Sequence, residues 1–339
     1  MRSSSAAKLV VAFLVFQVVG VLAFGAEAFF QTEIIGLSNG LIFALVALGY
    51  TLVYGIIELI NFAHGDVFML GSMLAFALLS AGLAPIPGFD LTADTPVFLK
   101  IGIILITLGI VMLATASLNA GIERVAYKPL RNAPKLAPLI SAIGMSFVLQ
   151  NVGLIWAGPG NKSIDNVFGT WNLLSVFGIE GVTINLQQVF VAVVTIPLLL
   201  VLSWFVSRTR QGKAMRATAM DPDTAGLMGV NVDRTIAITF LIGGALAGAA
   251  GVVQILYNNT TVWNLGFRFG LNSFTAAVLG GIGNLQGAVL GAIVLGLINA
   301  FSDRYFSANW TNAIVFGVLI AILVFKPTGL LGQQLADRA

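Results

Sequence analysis

Long apolar runs, each near the length of a membrane crossing, follow one another along this chain. A spanning helix needs about 20 mostly apolar residues, and runs of that kind occupy 9–30, 34–56, 66–84, 97–119, 138–157, 187–207 and 234–256. A glycine-broken apolar stretch covers 271–301, and a last run covers 311–325. The longest polar connections lie near 158–186 and 208–233. The pattern predicts an all-α polytopic membrane protein, with residues 1–339 forming a single membrane domain and no soluble domain.

Composition closes off other classes. Apolar residues make up 58% of the chain and charged residues 9%, where a soluble domain carries about 25% charged. That excludes a soluble enzyme, a disordered chain and a free nucleic-acid binder. There is no cysteine and a single histidine, His64, so neither a thiolate nor a multi-histidine metal site is expected. No cofactor site is predicted either.

Charge fixes the expected orientation, because short cytoplasmic loops collect Lys and Arg. With the N-terminus inside, the segments 120–137 and 208–234 are cytoplasmic, whereas 85–96, 158–186 and 257–270 lie outside. Thirteen of the 17 Lys and Arg then fall inside; Lys100, Lys162, Arg268 and Arg304 remain outside. The basic isoelectric point near 9.3 is therefore a topology signal. Arg2, Lys8 and the small residues Gly25 to Ala28 resemble a signal peptide, but the apolar run is long for one, and a retained first helix is favoured. To bring Lys326 to Arg338 inside, 271–301 must split at Gly280–Asn284 into two short helices. About ten transmembrane helices or half-helices result, with both termini cytoplasmic and the break covered by protein.

Four groups of residues carry candidate chemistry. Asn61, His64 and Asp66, preceded by Tyr50, Tyr54 and Glu58, form a polar turn beside spanning segments, where ionisable groups are costly and mark functional sites. The competing reading is a tight turn, with Asn61 or Asp66 capping a helix and His64 bonded to a backbone carbonyl. A catalytic pair of His64 and Asp66 lacks a nucleophile, so no catalytic residue is assigned. The segment 211–231 reads as two short helices. In it Asp221 suits an N-cap, Pro222 the first helical position and Gly229 the C-terminal position of positive φ. Leu227 and Met228 would then be apolar residues outside the membrane, seated on a partner or resting on headgroups. Gly212-Lys213-Ala214 lacks the spacing of a phosphate loop, so no nucleotide site is expected. Gly244 and Gly248, and later Gly283, Gly287 and Gly291, are spaced for close helix crossings. Polar residues scattered in the apolar runs, among them Asn39, Ser141, Ser146, Gln150 and Thr275, suffice to line a path for a small polar solute.

Several stretches resemble one family. Residues 39–66, containing Leu59-Ile60-Asn61-Phe62-Ala63-His64-Gly65-Asp66, are similar to the opening of the H-type permease subunit of branched-chain amino acid ABC importers. So are 122–131, 139–151, Met228 to Arg234, Phe274 to Gly283 and Pro327 to Gly332. The resemblance covers 34–332 and leaves helix 9–30 as an addition. It implies an inner-membrane permease of a bacterium, partnered by an M-type permease, two cytoplasmic ABC ATPases and a periplasmic solute-binding protein. It implies a coupling helix within 211–231, bearing Arg216, Asp221, Pro222, Ala225, Leu227, Met228 and Gly229. It also strengthens Asn39, Tyr50, Tyr54, Asn61, His64, Asp66, Ser141, Gln150 and Thr275 as candidates for the solute path. It implies inward transport of branched-chain or related hydrophobic amino acids, with urea, short amides or other amino acids as the alternative, since relatives of this kind carry those. A stand-alone secondary transporter would need coupling carboxylates inside the spans, and only Glu58 and Asp66 come near.

Overall fold

A computed structural model describes residues 17–80, 91, 95–131, 133–134, 136–178, 181–326 and 328–332. The expected start of the first helix at 9–16, most of the loop 85–96, Lys135 and Arg338 lie outside the described residues.

Nine long apolar helices appear among the described residues. They are α1 (Ala26–Ile57), α2 (Ala63–Leu79), α3 (Val97–Ile122), α4 (Leu136–Ala157), α5 (Leu186–Arg208), α8 (Val232–Asn258), α9 (Leu265–Gly280), α10 (Leu285–Ser302) and α11 (Ala308–Phe325). Two short polar helices, α6 (Arg210–Met220) and α7 (Pro222–Leu227), sit between α5 and α8. Residues 17–24 are helical ahead of α1. A two-residue antiparallel ladder pairs β1 (Lys162–Ser163) with β2 (Thr260–Thr261).

The first boundary differs from the expected one. The chain breaks at Gly25, where φ is 80°, and not near residue 31. Nothing in Gln31-Thr32-Glu33 opposes a helix, so α1 runs unbroken for 32 residues, about 48 Å against a hydrocarbon core of about 30 Å. Its extra length projects at one end, where Gln31 accepts from the Thr183 amide at 2.8 Å.

That end also holds the β1–β2 ladder and the contact of Lys100 with the Val167 carbonyl. The opposite end gathers the 123–131 segment, paired to Asp233 by Lys128 and Arg131, together with α6, α7 and the 281–284 turn. The basic residues expected on one side, Arg124, Lys128, Arg131, Arg208, Arg210, Lys213, Arg216, Arg234 and Lys326, are thus carried by the same end of the bundle.

α1, α2, α8 and α10 form the interior, and glycines set how closely they pack. A Cβ at Gly244 or Gly248 would meet the backbone of α3 at Thr115–Ala116 or Val111–Met112. The expected Gly283/Gly287/Gly291 face holds only in part. Gly287 and Gly291 pack on Gly280, while Gly283 lies in the turn with φ 90°. α3, α4, α5 and α11 surround the interior and face outward with bare apolar side chains, such as Phe98, Ile155, Trp204 and Phe325. A soluble protein does not expose so much contiguous apolar surface; lipid covers it.

The break in the 271–301 stretch falls at Gly281–Asn284. The carbonyls it frees are not left bare: Leu279 accepts from the Leu330 amide at 2.8 Å and Gly280 from that of Leu331 at 3.0 Å. The Asn284 amide donates to the Leu331 carbonyl at 2.8 Å, so the C-terminal segment closes the turn. α9 itself has only 16 residues, about 24 Å, and starts inside the bundle. Its Phe269 ring stacks on Phe68 and tilts against Phe43, which lies near the middle of α1. The expected outer loop 257–270 therefore ends early: beyond Asn264 the chain has already turned inward as helix.

Candidate functional site

α2 begins where α9 begins, and the two first turns touch. A Cβ at Gly266 would meet the Gly65 carbonyl and the Asp66 side chain, and one at Gly270 would lie 3.0 Å from the Tyr50 hydroxyl. Helix starts buried in a bundle recur at transporter binding sites, since their free N–H groups suit anionic parts of a solute.

His64 and Asp66 belong to the first turns of α2 and not to the turn before it. The helix starts at Ala63, three residues earlier than expected, and Phe62 at the N-cap makes no side-chain cap. Neither Asn61 nor Asp66 caps the helix. Asn61 instead accepts from the Tyr127 hydroxyl at 2.6 Å and donates to Asn119 at 3.5 Å. Asn119 in turn donates to the Phe240 carbonyl at 2.7 Å. His64 is fully buried, with its ring against Gly49 and edge-on to Tyr50 at 4.9 Å. The Val46 carbonyl is the backbone acceptor that faces its ring, as the turn reading expected, but neither ring nitrogen closes a well-aligned hydrogen bond.

Asp66 is 1% exposed. Its Oδ2 accepts from the Ser146 hydroxyl at 2.5 Å, and Ser146 accepts from Gln150 at 3.1 Å. Its Oδ1 has no partner. Buried polar atoms are almost always paired; the first turns of α2 leave one carboxylate oxygen and two imidazole nitrogens without a well-formed hydrogen bond, as do the hydroxyls of Thr51, Ser72 and Ser273 elsewhere in the bundle.

Tyr50, Asn61, His64, Asp66 and Gln150 are thus brought together. Tyr54 joins them through a crevice that it lines with Tyr50, Ile60, Phe274, Ala277 and Ile282, too narrow to hold a water molecule. The other three candidates stand apart. Thr275 turns its hydroxyl to the Leu271 carbonyl, Ser141 reaches the Ala126 carbonyl at 3.3 Å, and Asn39 is half-buried on α1. Asn119 and Tyr127 were missed as candidates. The signal for Asn119 was a lone amide in the apolar run 97–119.

The second candidate surface is α7. Asp221 accepts from the amides of Asp223 and Thr224 at 3.0 and 3.2 Å, and Pro222 takes the first position. At the other end the Val230 amide reaches the Ala225 carbonyl and the Gly229 amide the Gly226 carbonyl, with φ 85° at Gly229. This double closure is a Schellman motif. Leu227 and Met228 are 89% and 81% exposed, whereas Ala225 is 5% exposed and faces the protein. Arg216 turns back to the Val206 carbonyl at the end of α5. Among the described residues no group of three His, Asp or Glu side chains is placed to hold a metal.

These features — buried helix starts, and a short helix capped at both ends at one end of an apolar bundle — agree with the comparison of the chain with known proteins. Residues 34–324 match the family described as the permease component of branched-chain amino acid transport systems. The chain belongs to this family. This permease is 40% identical over 310 residues to the high-affinity branched-chain amino acid transport system permease protein BraD of Pseudomonas aeruginosa, which covers 91% of this chain and 98% of that protein. LivH of Salmonella typhimurium is 40% identical over 311 residues, with 91% and 97% covered. LivH of Methanocaldococcus jannaschii is 28% identical over 307 residues. No solved structure matches. The permease is a membrane component of a transport system, as the resemblance to the H-type subunit implies.

Proposed function

We propose that this permease carries branched-chain or closely related hydrophobic amino acids inward as one membrane subunit of an ABC importer. ATP is hydrolysed on two partner ATPase subunits, a second, M-type permease completes the membrane part, and a solute-binding protein delivers the amino acid outside. The termini and the 120–137 and 208–234 segments face the cytoplasm. Residues 1–339 act as one permease domain, with 34–332 as its core and the helix before it as an addition.

One observation carries the reading: α7 is stiffened by side-chain and backbone caps at both ends yet leaves Leu227 and Met228 almost bare. Apolar side chains held rigidly outside a membrane bundle fit insertion into an ATPase cleft. Asp221, Pro222 and Gly229 shape this helix, Leu227 and Met228 make its contacts, and Ala225 and Arg216 fix it to the permease. Upstream, Tyr50, Tyr54, Asn61, His64, Asp66 and Gln150 form the part of the solute path that opens when α9 moves away from α2. Asn39, Ser141 and Thr275 have a weaker claim.

The experiment reconstitutes the complex with its ATPases and binding protein and measures leucine-stimulated ATP hydrolysis and uptake. Leu227→Asp puts a charge into an apolar contact, and Gly229→Val opposes positive φ at a cost of about 1–2 kcal/mol. Both variants should stay in the membrane and lose stimulation. Wild-type stimulation in both would remove α7 from the coupling interface.

A further inference from the structure

We infer that Arg268, on the first turns of α9, receives the carboxylate of the passing amino acid. The inference rests on the transport reading above and adds to it a residue, a charge and a depth.

Depth comes first. Arg268 adjoins Phe269, whose ring lies 5.3 Å from Phe43 and 5.1 Å from Phe68. Phe43 is 14 residues from the end of α1 that does not project, about 21 Å, so Arg268 lies within the hydrocarbon thickness, toward the projecting end. On the two sides of it Gly266 and Gly270 pack against Gly65, Asp66 and Tyr50.

Direction comes second. Gly266, Phe269 and Gly270 turn toward the interior, but Arg268 is exposed and has no carboxylate partner among the described residues. With Asn264 and Asn272 it forms a stripe at i, i+4 and i+8 along one face of α9. Phe267 beside it is exposed too, and the outward sides of α3, α4, α5 and α11 mix apolar side chains such as Phe98, Ile155, Trp204 and Phe325 with neutral polar ones such as Asn151 and Asn312, but carry no arginine away from their ends. An arginine facing hydrocarbon at this depth is costly, and charged residues there face a bundle interior or a water-filled cavity. The open side of α9 is therefore a wet one.

Chemistry comes third. A free amino acid enters as a zwitterion, and its carboxylate needs donors at the point where bulk water is left behind. A guanidinium offers two parallel N–H groups to a carboxylate, and the start of α9 adds positive potential of the same sign. Asn264 and Asn272 can hold the solute above and below without fixing it, which permits passage.

The chain has no cysteine, so Arg268→Cys can be modified selectively in the reconstituted complex. Leucine uptake by Arg268→Cys should fall about tenfold or more, as expected on losing a charge-assisted pair. Treatment with aminoethyl methanethiosulfonate, which restores a positive charge, should recover much of it. Sulfonatoethyl methanethiosulfonate, which is negative, should react and recover none. Leucine with its binding protein should slow both reactions. The inference is overturned if the cysteine reacts with neither reagent, which would place it in lipid or against a partner subunit. It is also overturned if uptake by Arg268→Cys is normal, or if both charges rescue equally. A wild-type complex that takes up no branched-chain amino acid would overturn the transport reading, and this one with it.

Discussion

The contact between Gly49 and His64 allows the packing at the candidate site to be tested without reference to transport. The three heavy atoms nearest a Cβ built on Gly49 all belong to the His64 ring: Nε2, Cε1 and Cδ2. The ring cannot easily retreat, because it is fully buried and Tyr50 stands edge-on to it at 4.9 Å. Gly49→Ala is then overpacking of a close-fitted interior, which costs about 1–3 kcal/mol. His64→Ala removes the ring and leaves a cavity, a loss of about 3–5 kcal/mol if it resembles truncation of other buried rings. The double variant is the informative one. With the ring gone, the new methyl enters the cavity, so Gly49→Ala should change sign and become neutral or stabilising. The two substitutions should couple by about 1–3 kcal/mol, within the range for residues in direct contact. The measurement is the thermal midpoint of the purified permease in detergent for all four proteins, with the amount in the membrane recorded beside it. If Gly49→Ala is equally damaging with and without His64, the clash lies elsewhere and the described ring position is wrong. If it has no cost at all, the ring has room to move and is free to act as a gate.

Two further outcomes follow from single contacts. Ser146→Ala removes the one hydroxyl donating to Asp66; a loss of about 1–3 kcal/mol is expected by thermal midpoint, with Gln150→Ala milder because Gln150 is the weaker of the two groups that support the carboxylate, and an unchanged midpoint for Ser146→Ala would mean that Gln150 takes over as donor. For orientation, a cysteine at Met228, 81% exposed, should resist a membrane-impermeant maleimide on intact cells, while one at Trp171, 47% exposed, should react; the reverse labelling would invert the topology.

The apolar runs located nearly every spanning helix, because lipid leaves the chain no alternative that satisfies its backbone. Their ends were less legible. The first boundary was placed near residue 31 by a dip in hydrophobicity, but Gln31 and Glu33 are content at the projecting end of a helix, where Gln31 meets Thr183 and Glu33 meets Gln17. The true break came from conformation, at Gly25. Arg268 was placed in an outer loop on the same reasoning: a charge interrupts an apolar run. Charge marks where a helix is not facing lipid, and at α9 that is a lateral direction, not a loop.

The contrast between α7 and the start of α2 shows why some of the site was readable. At α7 every partner of the cap is within three residues of Asp221, and every partner of the C-terminal closure is within five of Val230. Local sequence therefore contains the whole interaction, and residue types alone predict it. Asn61 and Asp66 are the same residue types beside another helix start, so the same rule named them as caps. There the amide of Asn61 is taken by Tyr127, 66 residues away, and the carboxylate of Asp66 by Ser146, 80 residues away. A capping bond to its own backbone and a bond across helices compete for the same oxygen. Which wins depends on the neighbours that the fold brings, and only the folded chain holds that information. Inside a membrane the long-range bond has an added advantage, since a side chain satisfied by its own helix leaves the donor on the facing helix bare in a medium without water. The polar residues that escape local rules are therefore the ones that join α2 to α3 and α4, and the proposed solute path runs beside them.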